Sequence, residues 1–248
     1  MKVAVVVLFP DYFESPMRYA PLRKAVDVGA LDLRFFSPID YAPGPKDVED
    51  YLYGGGEGML LKAPYVEEAL RDAKGWIPDA PVVLLSPAGR RLDQRTVVDL
   101  ASLPSLILLG GHYKGVDARV LKFVDMELSI GDYVVSSGEL AALVLLDAIT
   151  RLLPGVLTHR GSAETDSIHS GLLEPPLYTR PREHAGEEVP DVLLSGHHGR
   201  IARWRREYAL RRTLLFRPDL LKGLDLSDED RRILREIIRE LEEIISEL

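Results

Sequence analysis

Three glycine-bearing segments carry residue types that could hold a flat, polar ligand. They are Ser86-Pro87-Ala88-Gly89-Arg90, Gly110-Gly111-His112-Tyr113-Lys114-Gly115, and Ser129-Ile130-Gly131-Asp132-Tyr133 running on to Ser136-Ser137-Gly138-Glu139. In a parallel sheet, ligands bind at the carboxyl ends of strands. Glycine there lets backbone N–H and C=O groups approach without a Cβ in the way. One such segment reads as a turn; three in succession point to a binding site without naming its ligand. A fourth, Tyr53-Gly54-Gly55-Gly56-Glu57-Gly58-Met59, is denser in glycine but lacks the lysine and the Ser/Thr of a phosphate-binding loop. Closure over a flat aromatic ligand such as a base suits it better than a phosphate cradle.

Other chemistries lack their residues. The chain has no cysteine, which excludes a disulfide scaffold, a thiolate metal site and a cysteine nucleophile. His112, His159, His169, His184, His197 and His198 form no H-E-x-x-H pair, so no metal site is expected. Neither G-x-S-x-G nor G-x-G-x-x-G after a strand occurs.

The elements that must position these segments can be read from periodicity. Val3 to Phe9, Leu31 to Phe36, Val82 to Leu85 and Leu106 to Leu109 are short apolar runs suited to buried strands. Met17 to Val28, Pro64 to Ala73 and Asp93 to Leu103 carry helical spacing. Strands alternating with helices predict a mostly parallel sheet covered on both faces. Glu139 to Leu153 is apolar almost all round and predicts a buried helix, stopped by Pro154-Gly155. Thr158 to Gly171 is small and polar and reads as a linker, expected to be mobile until ligands order it. A proline-rich stretch follows, then two helices. For the first, about Gly199 to Phe216, Ile201, Trp204, Tyr208 and Leu215 suggest the apolar stripe. The second opens on the capping box Ser227 to Asp230, with Ile233, Leu234, Ile237, Ile238 and Leu241 on one face.

The 248 residues, 46% hydrophobic and 28% charged, have a soluble globular balance. Asn is absent, Gln94 is the one glutamine, and 23 of the 31 basic residues are Arg, a bias of heat-adapted proteins. Pro10 and acids arrive too early for a signal peptide, and no apolar run is long enough for a bilayer span, so a cytoplasmic protein is expected. The net charge of -8 is unevenly spread. Arg200 to Arg217 holds seven Arg with Glu207 as the one acid, whereas Asp225 to the C-terminus has nine acids and four Arg. The first is a basic stripe suited to a nucleic-acid backbone, and the second reads as a packing helix.

Taken in order, these motifs resemble one family. The GGGEGM of 54–59, SPAGR of 86–90, GHYKGVD of 111–117, SIGDYVVSSGE of 129–139, RLLPGV of 151–156, Asp166-Ser167, YTRP of 178–181, LSGHH of 194–198 and Arg203-Trp204-Arg205 are similar to the bacterial tRNA (guanine-37-N1)-methyltransferases, the TrmD family of the SPOUT superfamily.

The resemblance implies an α/β, parallel-sheet domain with a deep trefoil knot over 1–160, a flexible linker over 161–171 and a small helical tRNA-binding domain over 172–248. It implies a homodimer with active sites between subunits, S-adenosylmethionine as cofactor, a magnesium ion, and tRNA with guanosine at position 37 as partner. The general expectation is an unknotted chain, so the knot comes from the resemblance alone.

The reaction itself is open to physical reasoning. S-adenosylmethionine brings its own electrophile, so the enzyme positions the reactants and manages a proton. N1 of guanine must lose its hydrogen to become a nucleophile, and charge then develops on O6. By motif the resemblance assigns Asp166 as general base and Arg151 as the group facing O6. It places the cofactor against Pro87, Gly89, Gly111, Tyr113, Lys114, Ile130, Gly131, Tyr133, Val135, Ser137 and Gly138. It places the RNA against Gly56, Gly58, Ser162, Glu174, His198, Arg203 and Arg205.

Four residues depart from the pattern. Lys114 stands where the family has glutamate, Ala118 where it has glutamate, Ser137 where it has a second glycine, and Ala141 where proline is common. Lys114 reverses a charge beside the cofactor. The alternatives are a SPOUT relative that modifies another RNA position or binds tRNA without catalysis, and an α/β enzyme acting on a free nucleotide.

Overall fold

The computed structural model describes residues 1–157, 167, 168 and 170–247. Asp166, Ser162 and most of the expected linker lie outside the described residues. The chain divides into two compact units, Met1–Thr158 and His159–Leu248.

The first unit is built on strands β1 (Lys2–Val6), β2 (Asp32–Phe36), β5 (Val82–Arg91), β6 (Ser105–Gly110) and β7 (Met126–Ser129). They form one parallel sheet in the order β2-β1-β6-β5-β7. Side chains of a strand alternate between faces, and here both faces are apolar. Val3, Val5 and Val7 join Val83, Leu106 and Leu108 in one core, which α1 (Leu22–Asp27), α3 (Gln94–Ala101) and α4 (Gly138–Thr150) cover. Ala4, Val6 and Leu8 join Val82, Ile107 and Leu109 in the other, which α2 (Ala63–Trp76) covers. This two-sided burial is why the strands read as continuous apolar runs. A hairpin, β3 (Glu49–Tyr51) and β4 (Met59–Leu61), stands outside the main sheet. Its polar first strand gave no apolar signal in sequence.

The helix expected over Met17 to Val28 is not continuous. A 3-10 turn covers Pro16–Arg18, and α1 begins only after Pro21. Proline has no N–H for the helical ladder and tolerates only the start of a helix. Helix α4 buries Ala141, Ala142, Leu145, Leu146 and Ile149 but exposes Leu140 and Val144, so it is not buried all round.

The second unit contains a two-residue hairpin, β8 (Glu183–His184) and β9 (Glu187–Glu188), and helices α5 (Asp191–Leu194), α6 (His198–Phe216), α7 (Pro218–Leu221) and α8 (Asp228–Ser246). Leu172, Ala209, Leu210, Ile233 and Ile237 form its core. Helix α8 opens on the capping box predicted, with Ser227 and Asp230 exchanging side-chain and backbone hydrogen bonds. The stripe predicted for α6 is corrected. Ala209, Leu210 and Thr213 are its buried residues, on nearly the opposite side from Trp204 and Tyr208 at 100° per residue. Small side chains at 209 and 213 allow a close approach, and the Thr213 hydroxyl donates to Ala209 O and accepts the Leu173 N–H. Trp204 and Tyr208 instead stack on each other, ring centroids 4.3 Å apart.

Candidate functional site

The Ser86–Ala88 stretch, at a register shift within β5 rather than in a loop after a strand ending at Leu85, and the loops after β6 and β7 converge on one cavity of about 460 Å3. Leu84, Leu85, Leu128 and Ile130 give it apolar walls, and segments 111–116 and 133–138 bring backbone and polar groups. That volume lies in the range of sites for nucleotide-sized ligands.

Of the residues assigned to the cofactor, Pro87, Gly111, Tyr113, Lys114, Ile130, Tyr133, Val135, Ser137 and Gly138 line the cavity; Gly89 and Gly131 do not. Gly89 has a packing reason instead, since a Cβ there would lie 2.5 Å from the Leu128 backbone nitrogen. A Cβ on Gly131 would lie 2.5 Å from the Tyr133 ring. Gly138 allows a close backbone approach in the cavity wall. Its N–H donates to Gly111 O at 2.7 Å, and an added Cβ would meet Gly110 and Gly111 backbone atoms at 2.6 Å.

Further contacts hold the wall in place, and these were not legible in the sequence. Glu139 is fully buried in the first turn of α4. It accepts the Phe9 N–H at 3.0 Å and lies 3.5 Å from His112 Nδ1, tying the loop after β1 to the loop after β6. An acid opening an otherwise apolar helix is the one signal that could have marked it. Strand β4 flanks the same loop: Lys114 N–H donates to Met59 O, Leu61 N–H to Gly115 O, and Asp117 N–H to Leu61 O. Asp117 grips Arg119 through both carboxylate oxygens. The Arg119 guanidinium and backbone N–H bring its pKa down to about 2. Tyr113 sits at φ 55°, in the left-handed region that side chains seldom occupy. Burial, then the hydrogen bond and charge of Glu49, raise its hydroxyl above the usual range.

Gly56 and Gly58, at φ 117° and 94°, lie in the turn of the β3–β4 hairpin. The Lys114 stem crosses Gly58 so closely that a Cβ there would lie 2.9 Å from Lys114 Cγ. Lys114 makes no ion pair among the described residues.

Arg151 is elsewhere in the first unit. It caps the C-terminal end of α4 and shares a depression of about 310 Å3 with Lys24, Ala20, Pro21, Val156 and Leu157. The 13 residues of α4 separate it from Gly138, about 20 Å at 1.5 Å per residue. Glu174, in the second unit, pairs with Ser167: its N–H donates to Ser167 Oγ at 3.0 Å, and Ser167 Oγ lies 3.4 Å from Glu174 Oε2.

The basic stripe is partly neutralised, contrary to the expectation that only Glu207 opposes it. Helix α8 supplies Asp230 to Arg206, Glu240 to Arg211 and Glu229 to Arg203, and Arg217 pairs with Asp219. Arg200, Arg205 and Arg212 stay exposed and make no ion pair among the described residues, and His198 is exposed beside them. The acids come from a separate helix, so linear spacing along α6 could not reveal them.

Residues 1–223 match the family model described as tRNA (Guanine-1)-methyltransferase TrmD. The chain is 51% identical over 249 aligned positions to the tRNA (guanine-N(1)-)-methyltransferase of Chromohalobacter salexigens, covering 97% of this chain and 93% of that one. The protein of the same name from Marinomonas sp. is 46% identical, with 99% of each chain covered. That from Desulforudis audaxviator is 44% identical, covering 98% of this chain and 99% of its own.

Proposed function

The chain belongs to the tRNA (guanine-1)-methyltransferase family TrmD, and we propose that it methylates N1 of the guanosine at tRNA position 37, with S-adenosylmethionine as donor. The observation that carries this reading is the convergence of three glycine-bearing segments on one cavity of about 460 Å3, two at the carboxyl ends of β6 and β7 and one at the register shift within β5. The residues present fit the donor. The apolar walls suit an adenine ring, Gly138 lets α4 pack directly on the Gly110–Gly111 backbone that forms part of the wall, and the Ser137 hydroxyl is buried without a hydrogen-bond partner.

When bound, S-adenosylmethionine supplies a methyl group on a positively charged sulfur. Ile130 and Val135 would pack against the adenine, and backbone groups of 111–115 and 130–135 would read its edges. Asp166 takes the N1 hydrogen of guanine, making that nitrogen a nucleophile. The Arg151 guanidinium faces O6, where negative charge gathers. Ser162 and Glu174 flank the base, and His198, Arg203 and Arg205 hold the RNA, Arg205 as an unneutralised phosphate contact.

Arg151 stands about 20 Å along α4 from Gly138. That separation supports a reading in which a second copy supplies the arginine. The exposed Leu140 and Val144 offer that copy an apolar face. This supports the homodimer, with the trefoil knot and cytoplasmic residence read from family membership. No helix among the described residues is long and apolar enough to cross a membrane. Among the described residues no cluster of three carboxylate or imidazole groups is placed to hold a metal.

The test is methyl transfer from labelled S-adenosylmethionine to a tRNA transcript, followed by digestion to nucleosides. The reading expects label in 1-methylguanosine; label in a ribose-methylated nucleoside, or none, overturns it.

A further inference from the structure

We infer that the Ser137 hydroxyl is a recognition group of the donor cavity, hydrogen-bonding the neutral nucleoside part of the methyl donor. The inference rests on the donor-site reading above.

Ser137 is the residue preceding α4, with φ -150° and ψ 147°. A serine in that place normally caps the helix by accepting a first-turn N–H. Here the side chain makes no capping hydrogen bond. Its oxygen is buried and has no hydrogen-bond partner, in a residue only 3% exposed. Buried polar groups almost always find partners, and this one belongs to a residue of the cavity wall. The oxygen is out of reach of water in this conformation, so the side chain turns about χ1 to meet a ligand in the cavity, which supplies the missing partner.

The backbone does not demand the residue. Next door, Gly138 is required, because any Cβ would strike Gly110 and Gly111 backbone at 2.6 Å. Ser137 has an extended conformation that any residue adopts, so a glycine would serve the fold equally well. Ser137 is also held in register, since it pairs with His112 in an antiparallel bridge on one side and leads into α4 on the other. Neighbouring Ala141 and Ile130 make the wall apolar. A neutral donor–acceptor beside an apolar wall suits a purine nitrogen or ribose hydroxyl better than a charged amino-acid end.

Calorimetric titration of the full chain with S-adenosylhomocysteine and with 5′-methylthioadenosine, which keeps the nucleoside and lacks the amino-acid end, tests this. Wild type, Ser137→Ala and Ser137→Gly would be compared, with thermal unfolding of each without ligand. Loss of one neutral hydrogen bond predicts affinity weakened by about three- to tenfold for both ligands in both variants. The ligand-free Tm of Ser137→Ala should be unchanged or higher, because an unsatisfied buried hydroxyl is removed. Unchanged affinity overturns the inference, as does weakening confined to S-adenosylhomocysteine. A lower ligand-free Tm in Ser137→Ala with unchanged affinity assigns the hydroxyl to capping, and also overturns it. Wild type that binds neither ligand overturns the donor-site reading and this inference with it.

Discussion

Replacing Gly138 by alanine and Gly75 by alanine should move stability in opposite directions. At Gly138 the new Cβ would sit 2.6 Å from the Gly110 Cα and from the Gly111 nitrogen and oxygen, all backbone atoms. An ordinary contact needs about 0.8 Å more, so α4 must draw back from the loop after β6. That movement stretches the 2.7 Å bond from Gly138 N–H to Gly111 O. Overpacking of this kind costs about 1–3 kcal/mol and the weakened hydrogen bond about 1 kcal/mol. Less glycine entropy returns under 1 kcal/mol. The net loss of about 2 kcal/mol corresponds to a Tm lower by about 4–8 °C. At Gly75, inside α2, nothing lies within 4 Å of an added Cβ. There alanine should gain about 0.5–1 kcal/mol, a Tm higher by about 1–4 °C. Thermal unfolding followed by circular dichroism, with calorimetric titration of S-adenosylhomocysteine, measures both. Gly138→Ala should also bind the ligand more weakly, and Gly75→Ala should bind it as wild type does. A Gly138→Ala protein as stable as wild type would refute the close-approach reasoning.

Other substitutions test separate parts of the account. The Arg206 guanidinium, with Ser227, holds the Asp230 carboxyl well below its ordinary range. Its stabilisation is therefore full above about pH 4 and is lost as pH falls through the lowered value. Arg206→Ala should cost about 1–2 kcal/mol at pH 7, a modest figure because 40% of the arginine side chain meets solvent. Urea unfolding at a series of pH values should show that difference shrinking toward pH 2. Arg205→Ala and Arg212→Ala should each weaken tRNA binding and reduce the salt slope by about one, read by filter binding at several salt concentrations, with S-adenosylhomocysteine affinity unchanged. Lys114→Glu should change that affinity and its response to added magnesium in titrations with and without the ion. No change in either would make Lys114 a bystander.

The sheet was legible where physics left a local trace. The apolar runs at Val3, Val82 and Leu106 are two-sided because helices cover both faces, and two of the glycine segments follow directly from β6 and β7, whereas Ser86–Arg90 continues β5 through a register shift that no local pattern announced. The break at Pro21 could have been read from the proline itself, but the hairpin Glu49–Tyr51 with Met59–Leu61 could not. Its strands are three residues long and its stability comes from pairing and from the loop it flanks. Three features depend on residues far apart in sequence: the contact of Glu139 with Phe9 and His112, the neutralisation of Arg203, Arg206 and Arg211 by α8, and the burial of Ala209 and Thr213 in place of Trp204. Sequence periodicity along one helix carries no record of which side the next helix covers. The Ser137 hydroxyl is the converse case, a residue typical of a helix cap that does not act as one.

The most direct measurement is methyl transfer to two tRNA transcripts that differ at position 37, one with guanosine and one with adenosine, each with wild type and Asp166→Ala. The account predicts transfer by wild type to the guanosine transcript alone, and its loss in Asp166→Ala with tRNA binding retained. Equal transfer to both transcripts, or undiminished transfer by Asp166→Ala, would contradict it.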